Sequence, residues 1–121
     1  MTGNFRETGE IKLSHCGIDA ARFSPAVWGD ESPHEPPCRD HLPAIAMLRY
    51  AQLRGDAIHP SRIVVIGDTP HDVRCAKSND CRCLGVATGK YRREQLAEAG
   101  ADAVVDDLAD TAQIVRLLAE L

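Results

Sequence analysis

The hydrophobic pattern is sharpest from residue 61 onward. Ile63-Val64-Val65-Ile66 is an unbroken β-branched run, as expected of a parallel strand covered on both faces. Gly67-Asp68 turns the chain. Thr69 then suits an N-cap and Pro70 the first helical position, with Asn79-Asp80 closing the helix. Cys83 to Ala87 reads as a second short strand, stopped by Thr88-Gly89. Residues 91–99 form a helix with Gly100 as its stop, Ala103-Val104-Val105 a third strand, and residues 108–120 a last helix. Leu108, Ile114, Val115, Leu118 and Leu121 of that last segment are available to a core.

Upstream, residues 5–17 read as a short helix closed by Gly17, and Pro25-Ala26-Val27-Trp28 as a short strand. Residues 29–40 are polar and hold three of the seven prolines, the signature of a loop. The helix that follows places Leu42, Ile45, Ala46 and Leu53 on one side, with Met47 and Leu48 widening the stripe, and ends at Gly55. Alternating strands and helices predict an α/β layered domain with right-handed crossovers and a mainly parallel sheet. There is no internal repeat and no low-complexity segment.

Composition narrows the class. A chain of 121 residues has room for one domain and one modest core. With 44% hydrophobic and 26% charged residues it reads as globular rather than disordered. A net charge of −4 argues against general attraction to nucleic acid or an acidic membrane surface. No apolar run approaches the roughly 20 residues that span a bilayer, and Met1 to Glu10 lacks a secretory pattern, so a cytoplasmic location is the default expectation. The odd count of five cysteines points to free thiols rather than a disulfide framework. Cys81-Arg82-Cys83 is a C-x-C pair with no second pair at zinc-site spacing.

The candidate chemistry lies after the first sharp strand, since ligands of parallel sheets bind beyond the carboxyl ends of the strands. Asp68 stands there, and Asp72 follows in the first turn of the next helix. A tight turn can aim both carboxylates at one point, where a cation would relieve their repulsion. Magnesium suits such a pair, because it prefers hard oxygens and takes one or two carboxylates beside water and phosphate. The same residues also fit a helix cap, with Asp72 favoured near the positive helix end and Asp68 a turn residue. Spacing alone leaves both readings open.

The segment Ile63-Val-Val-Ile-Gly-Asp-Thr-Pro-His-Asp72 resembles the fourth motif of the haloacid dehalogenase superfamily, a hydrophobic strand followed by G-D-T/S-x-x-D. Leu84-Gly-Val-Ala-Thr-Gly89 resembles that family's next strand and loop, and Gly100-Ala-Asp-Ala-Val-Val105 its last short strand, so the likeness covers residues 61–121. Upstream, Thr2-Gly3-Asn4 is similar to the second motif, whose Thr or Ser hydrogen-bonds the phosphoryl group. Arg39, before Asp40-His41-Leu42, stands where the third motif places a Lys or Arg, although the usual form is Lys-Pro. The resemblance implies a Rossmann-like three-layer sandwich with residues 1–121 as one partial core domain. Residues 1–40 would be a second-motif remnant with strand and loop, and residues 41–121 the C-terminal α/β half. It also implies magnesium held by Asp68 and Asp72, and a phosphoryl group held by Thr2 and Arg39.

The family's first motif, an apolar strand ending in D-x-D, has no counterpart here. Its first aspartate is the nucleophile that forms an aspartyl-phosphate, and its second is the general acid and base. The expectation is therefore a truncated chain, without the central strand or any cap, that holds metal weakly and catalyses poorly alone. Unpaired strand edges favour self-association or pairing with a chain that supplies the missing strand. The leading function is a magnesium-dependent phosphatase of small phosphate esters, of the phosphoglycolate phosphatase kind. The alternatives are a non-catalytic α/β binding module and, last, a receiver-type signalling domain, whose N-terminal acidic pair this chain lacks. His71 reads as an exposed helix-start residue, Trp28 with Phe23 as core, and Lys90, Arg92 and Arg93 as a solvated helix start.

Overall fold

A computed structural model describes residues 1–121. The chain divides into two compact units, Met1–Ile58 and His59–Leu121. No helix is long and apolar enough to cross a membrane.

In the first unit, helix α1 spans Arg6–His15 and helix α2 spans Leu42–Arg54. Gly17 and Gly55 follow them with φ of 70° and 76°, the left-handed conformation that a β-carbon disfavours. Val27, Trp28, Leu42 and Pro43 are buried. The strand expected at Pro25–Trp28 does not form. The segment is extended at Trp28, but its neighbourhood makes only isolated backbone bonds, Thr2 N–H to the Val27 carbonyl at 3.0 Å and Gly29 N–H to the Asn4 carbonyl at 2.8 Å. Pro25 also has no N–H to offer a ladder. Short 3-10 turns at Ala20–Arg22, Gly29–Glu31 and Arg39–His41 take up the rest of the connection. Phe23 is 53% exposed, so Trp28 enters the core without it. On α2, Leu42 is buried while Leu48 and Leu53 are 62% and 61% exposed, narrower packing than the apolar stripe suggests.

Glu31 organises this unit's polar contacts. It accepts the Trp28 N–H at 2.9 Å and an Arg49 guanidinium N–H, and Arg49 also donates to the Ala26 carbonyl at 2.6 Å. The Arg49 hydrogen bond holds the Glu31 carboxyl below its ordinary value, against the opposing pull of burial.

The second unit is a three-layer α/β arrangement. Strands β1 (Val64–Gly67), β2 (Arg82–Val86) and β3 (Ala103–Val105) form one parallel sheet in the order β1-β2-β3, with Val65 opposite Cys83 and Leu84 opposite Ala103. Helices α3 (Pro70–Lys77), α4 (Arg93–Glu98) and α5 (Thr111–Glu120) make the connections and the close. Because side chains alternate across a sheet, each strand feeds two cores. Val65 and Cys83 pack with Val73 and Ala76 of α3 and Leu96 of α4. Leu84, Val86 and Val105 pack on the other face with Ile114 of α5.

Ile66 is 45% exposed where cover on both faces was expected: it shares the Leu84 face, where Ile114 of α5 packs on Leu84, Val86 and Val105 of β2 and β3 and not on Ile66. In the last segment, Leu108 and Val115 are exposed at 46% and 61%, while Ile114 is buried and Leu118 and Leu121 are half-buried. Asp102 ties the layers together. Its carboxylate accepts from Lys77 of α3 at 2.5 Å, from the Cys83 N–H of β2 at 2.7 Å and from Arg82 at 3.3 Å. All five cysteines are free thiols; Cys75, Cys81 and Cys83 are buried and Cys16 is exposed.

Candidate functional site

β1 ends at Gly67, so Asp68 stands just beyond the carboxyl end of the strand. Thr69, extended at φ −131° and ψ 152°, caps α3, and Pro70 begins it. The Asp72 N–H donates to Thr69 Oγ1 at 3.2 Å. In return Asp72 Oδ2 accepts the Thr69 hydroxyl at 2.7 Å and the Thr69 N–H at 3.2 Å. This reciprocal cap folds the Asp72 carboxylate back over the strand end. A β-carbon on Gly67 would lie 2.3 Å from Asp72 Cβ and 2.7 Å from its Oδ2. The capping geometry therefore holds for Asp72.

Capping does not account for Asp68. Its side chain is exposed and no protein group donates a hydrogen bond to it. Its Oδ2 lies against the loop that follows β2, where a β-carbon on Gly89 would be 2.4 Å away. Each carboxylate thus rests on the backbone of a glycine, one at the end of β1 and one in the next loop. Sequence reading treated both glycines as turn residues. The usable signal was a glycine following each of two adjacent parallel strands, close to the acidic turn.

The two carboxylates, one in the turn after β1 and one in the first turn of α3, offer hard, anionic oxygens, a donor set that fits magnesium. No group of three or more His, Cys, Asp and Glu side chains gathers as a metal cluster. His71 lies between the two aspartates in sequence, is half-buried rather than exposed, and its Nδ1 meets the Arg74 guanidinium. Beyond the Gly89 loop, Lys90 and Arg93 have local partners. Lys90 Nζ sits 5.2 Å from the Tyr91 ring centroid, and Arg93 donates to the Val104 carbonyl at 2.8 Å and pairs with Asp106 at 3.1 Å.

Thr2 and Arg39 belong to the first unit, where the Arg39 side chain reaches the residue after Thr2. Thr2 Oγ1 accepts from the Asn4 N–H at 3.2 Å and from Asn4 Nδ2 at 2.9 Å, leaving its own hydroxyl proton to donate outward. The Arg39 side chain lies on Gly3, where a β-carbon would fall 1.9 Å from Nε. Of the four sequence-predicted residues, Thr2 and Arg39 lie in Met1–Ile58 and Asp68 and Asp72 in His59–Leu121.

A family model described as HAD-hydrolase-like matches residues 42–111, more than half of the chain. This chain belongs to the HAD-like hydrolases. Among curated relatives it is 29% identical over 103 residues to a phosphoglycolate phosphatase of Vibrio cholerae, covering 85% of this chain and 42% of that protein. It is 29% identical over 94 residues to a phosphoglycolate phosphatase of Chromobacterium violaceum, covering 78% and 38%. The chain thus spans about two-fifths of the length of these curated relatives, 42% and 38%. Among solved structures, a hydrolase from Pseudomonas syringae matches with a TM-score of 0.72 at 24% identity, over 93% of this chain and 49% of that one. A haloacid dehalogenase-like protein from Agrobacterium tumefaciens matches with a TM-score of 0.70 at 22% identity, over 97% and 52%. These structural likenesses bear on the fold, which is the Rossmann-like α/β arrangement of the HAD-like hydrolases.

Proposed function

We propose that this HAD-like hydrolase chain carries the metal- and phosphoryl-binding residues of a magnesium-dependent phosphatase acting on small phosphate esters, of the phosphoglycolate phosphatase kind. The observation that carries the reading is the loop after β1, where Asp68 projects with no protein donor while Asp72 is held in place by Thr69. An exposed acidic side chain beside a second fixed carboxylate, at the carboxyl end of a parallel strand, is where this fold class binds ligands. The two phosphoglycolate phosphatases that the chain resembles support the substrate class.

In this reading Asp68 and Asp72 hold magnesium, which when bound offsets the charge on a phosphoryl group. Thr2 donates its hydroxyl proton to a phosphoryl oxygen, and Arg39 supplies positive charge there. The partner in this reading is a small phosphorylated molecule rather than nucleic acid or membrane. None of the 121 residues supplies a D-x-D aspartate after an apolar strand, so these residues alone bind and orient without an attacking carboxylate. Turnover by this chain alone is therefore expected to be negligible.

The test pairs magnesium titration calorimetry with p-nitrophenyl phosphate and 2-phosphoglycolate hydrolysis assays. Magnesium uptake lost in Asp68→Asn, with negligible turnover, is the expected outcome. Magnesium-dependent turnover abolished by Asp68→Ala would overturn the inactivity and retain the site. Absence of magnesium uptake at millimolar concentration would overturn the site and leave the binding-module alternative.

A further inference from the structure

We propose that Gly89 is a positioning residue for Asp68: the bare backbone of the β2–α4 loop is the wall against which the Asp68 carboxylate is set for a divalent cation. The inference rests on the reading of Asp68 and Asp72 as magnesium ligands, and adds to it a residue on a different strand connection.

The positive-φ glycines of this chain are Gly17, Gly55 and Gly100. Gly89 is not among them, so its backbone is one that any L-residue can adopt, and conformational freedom does not explain it. What remains is size. A β-carbon built at Gly89 would meet Asp68 Oδ2 at 2.4 Å, Cγ at 3.2 Å and Cβ at 3.5 Å, and its three nearest neighbours are all Asp68 atoms. The closest is the free end of an exposed side chain.

That distinguishes Gly89 from Gly67. A methyl group at Gly67 would strike Asp72 Cβ at 2.3 Å, an atom fixed by the first turn of α3. Substitution there strains the fold itself. A methyl group at Gly89 displaces only the Asp68 carboxylate, which can swing into solvent. The fold tolerates that movement, whereas a metal ligand does not, because affinity depends on ligand orientation being held by its surroundings.

Two opposite effects are therefore expected of Gly89→Ala. Thermal stability in metal-free buffer stays level or rises slightly, since alanine restricts the unfolded chain at a position whose backbone accepts it. Affinity for the divalent ion falls by about tenfold, the lower end of what misplaced supporting groups cost metal sites. A glycine needed only for the turn would move stability downward instead.

The experiment measures manganese binding by electron paramagnetic resonance, with magnesium as competitor, and thermal melting without metal. The proteins are the wild-type chain, Gly89→Ala, Asp68→Asn and the double variant. A third measurement, the Asp68 χ1 rotamer from scalar couplings in the metal-free state, reads the displacement directly. Weakened manganese binding in Gly89→Ala with an undiminished melting temperature and a changed Asp68 rotamer supports the inference, as does a double variant no worse than Asp68→Asn. Loss of binding in Asp68→Asn beside wild-type binding in Gly89→Ala overturns the role of Gly89 and leaves the ligand reading standing. A much lower melting temperature for Gly89→Ala overturns it in favour of a purely structural glycine. Wild-type binding in Asp68→Asn, or no binding by the wild-type chain at millimolar metal, overturns the ligand reading and the inference with it.

Discussion

Asp102 is a polar joint of the second unit whose removal should be measurable. Its carboxylate receives the Cys83 N–H at 2.7 Å, Lys77 Nζ at 2.5 Å and Arg82 at 3.3 Å. These contacts differ in weight. The Lys77 and Arg82 side chains are 39% and 47% exposed, so each ion pair contributes at most about 1 kcal/mol. Cys83 is fully buried, and a buried N–H left without its acceptor costs about 1–3 kcal/mol. Asp102→Ala removes all three contacts and should cost about 2–4 kcal/mol. Asp102→Asn keeps an oxygen for the Cys83 N–H and should cost about 1 kcal/mol. The pH dependence follows from the same carboxyl group. Burial pushes its pKa upward, but hydrogen bonds from Lys77, the Cys83 N–H and Arg82 outweigh this and leave it below its ordinary 3.8. The unfolded chain therefore binds the proton more tightly, and stability falls as pH drops through 3.8 toward the folded-state value. Asp102→Asn lacks that component, so its deficit relative to wild type should shrink on going from neutral pH to about pH 3. Urea unfolding followed by circular dichroism at both pH values measures each quantity. Equal losses for Asp102→Ala and Asp102→Asn would refute the weight given to the Cys83 N–H. A deficit constant with pH would refute the charge argument.

Three further outcomes can be checked with simple assays. Thr69→Ala removes the hydroxyl that both accepts the Asp72 N–H and donates to its carboxylate, and should destabilise the chain by about 1 kcal/mol while loosening divalent-ion binding; unchanged urea midpoints would contradict the cap. Leu96→Ala empties a fully buried position packed among Val65, Val73 and Cys83 and should cost about 2–5 kcal/mol in the same unfolding assay. With a thiol reagent at neutral pH, exposed Cys16 should react first and Cys75, Cys81 and Cys83 only on unfolding. Burial pushes the Cys83 thiol up to about 11, and the thiolate is the reactive form. Fast labelling of more than two thiols in the native chain would contradict this packing.

Local chemistry was legible wherever one residue type has one dominant use. Thr69-Pro70 marked the start of α3, Gly55 and Gly100 marked helix ends, and Ile63–Ile66 marked β1 to within a residue. The acidic pair was legible too, because a hydrophobic strand running into Gly-Asp-Thr-Pro-His-Asp is a specific combination. Pro25–Trp28 misled because extended backbone becomes a strand only when a neighbour completes the ladder, and two isolated hydrogen bonds do not. Leu48, Leu53 and Val115 misled because periodicity marks an apolar face without saying what covers it.

The sequence by itself determined the order of elements from β1 onward and the candidate carboxylates, which depend on neighbours within a few residues, and the parallel character of the sheet, which follows from helices alternating with strands. Only the tertiary structure decided which carboxylate is held and which stands clear. It also decided that Gly67 and Gly89 form the surface beneath them, and that Arg39 lies over Gly3. Asp68 against Gly89 and Arg39 against Gly3 join segments far apart along the chain, which residue spacing does not encode; the Asp72 contacts with Thr69 and Gly67 are local, but spacing there fits a cap and a free ligand equally.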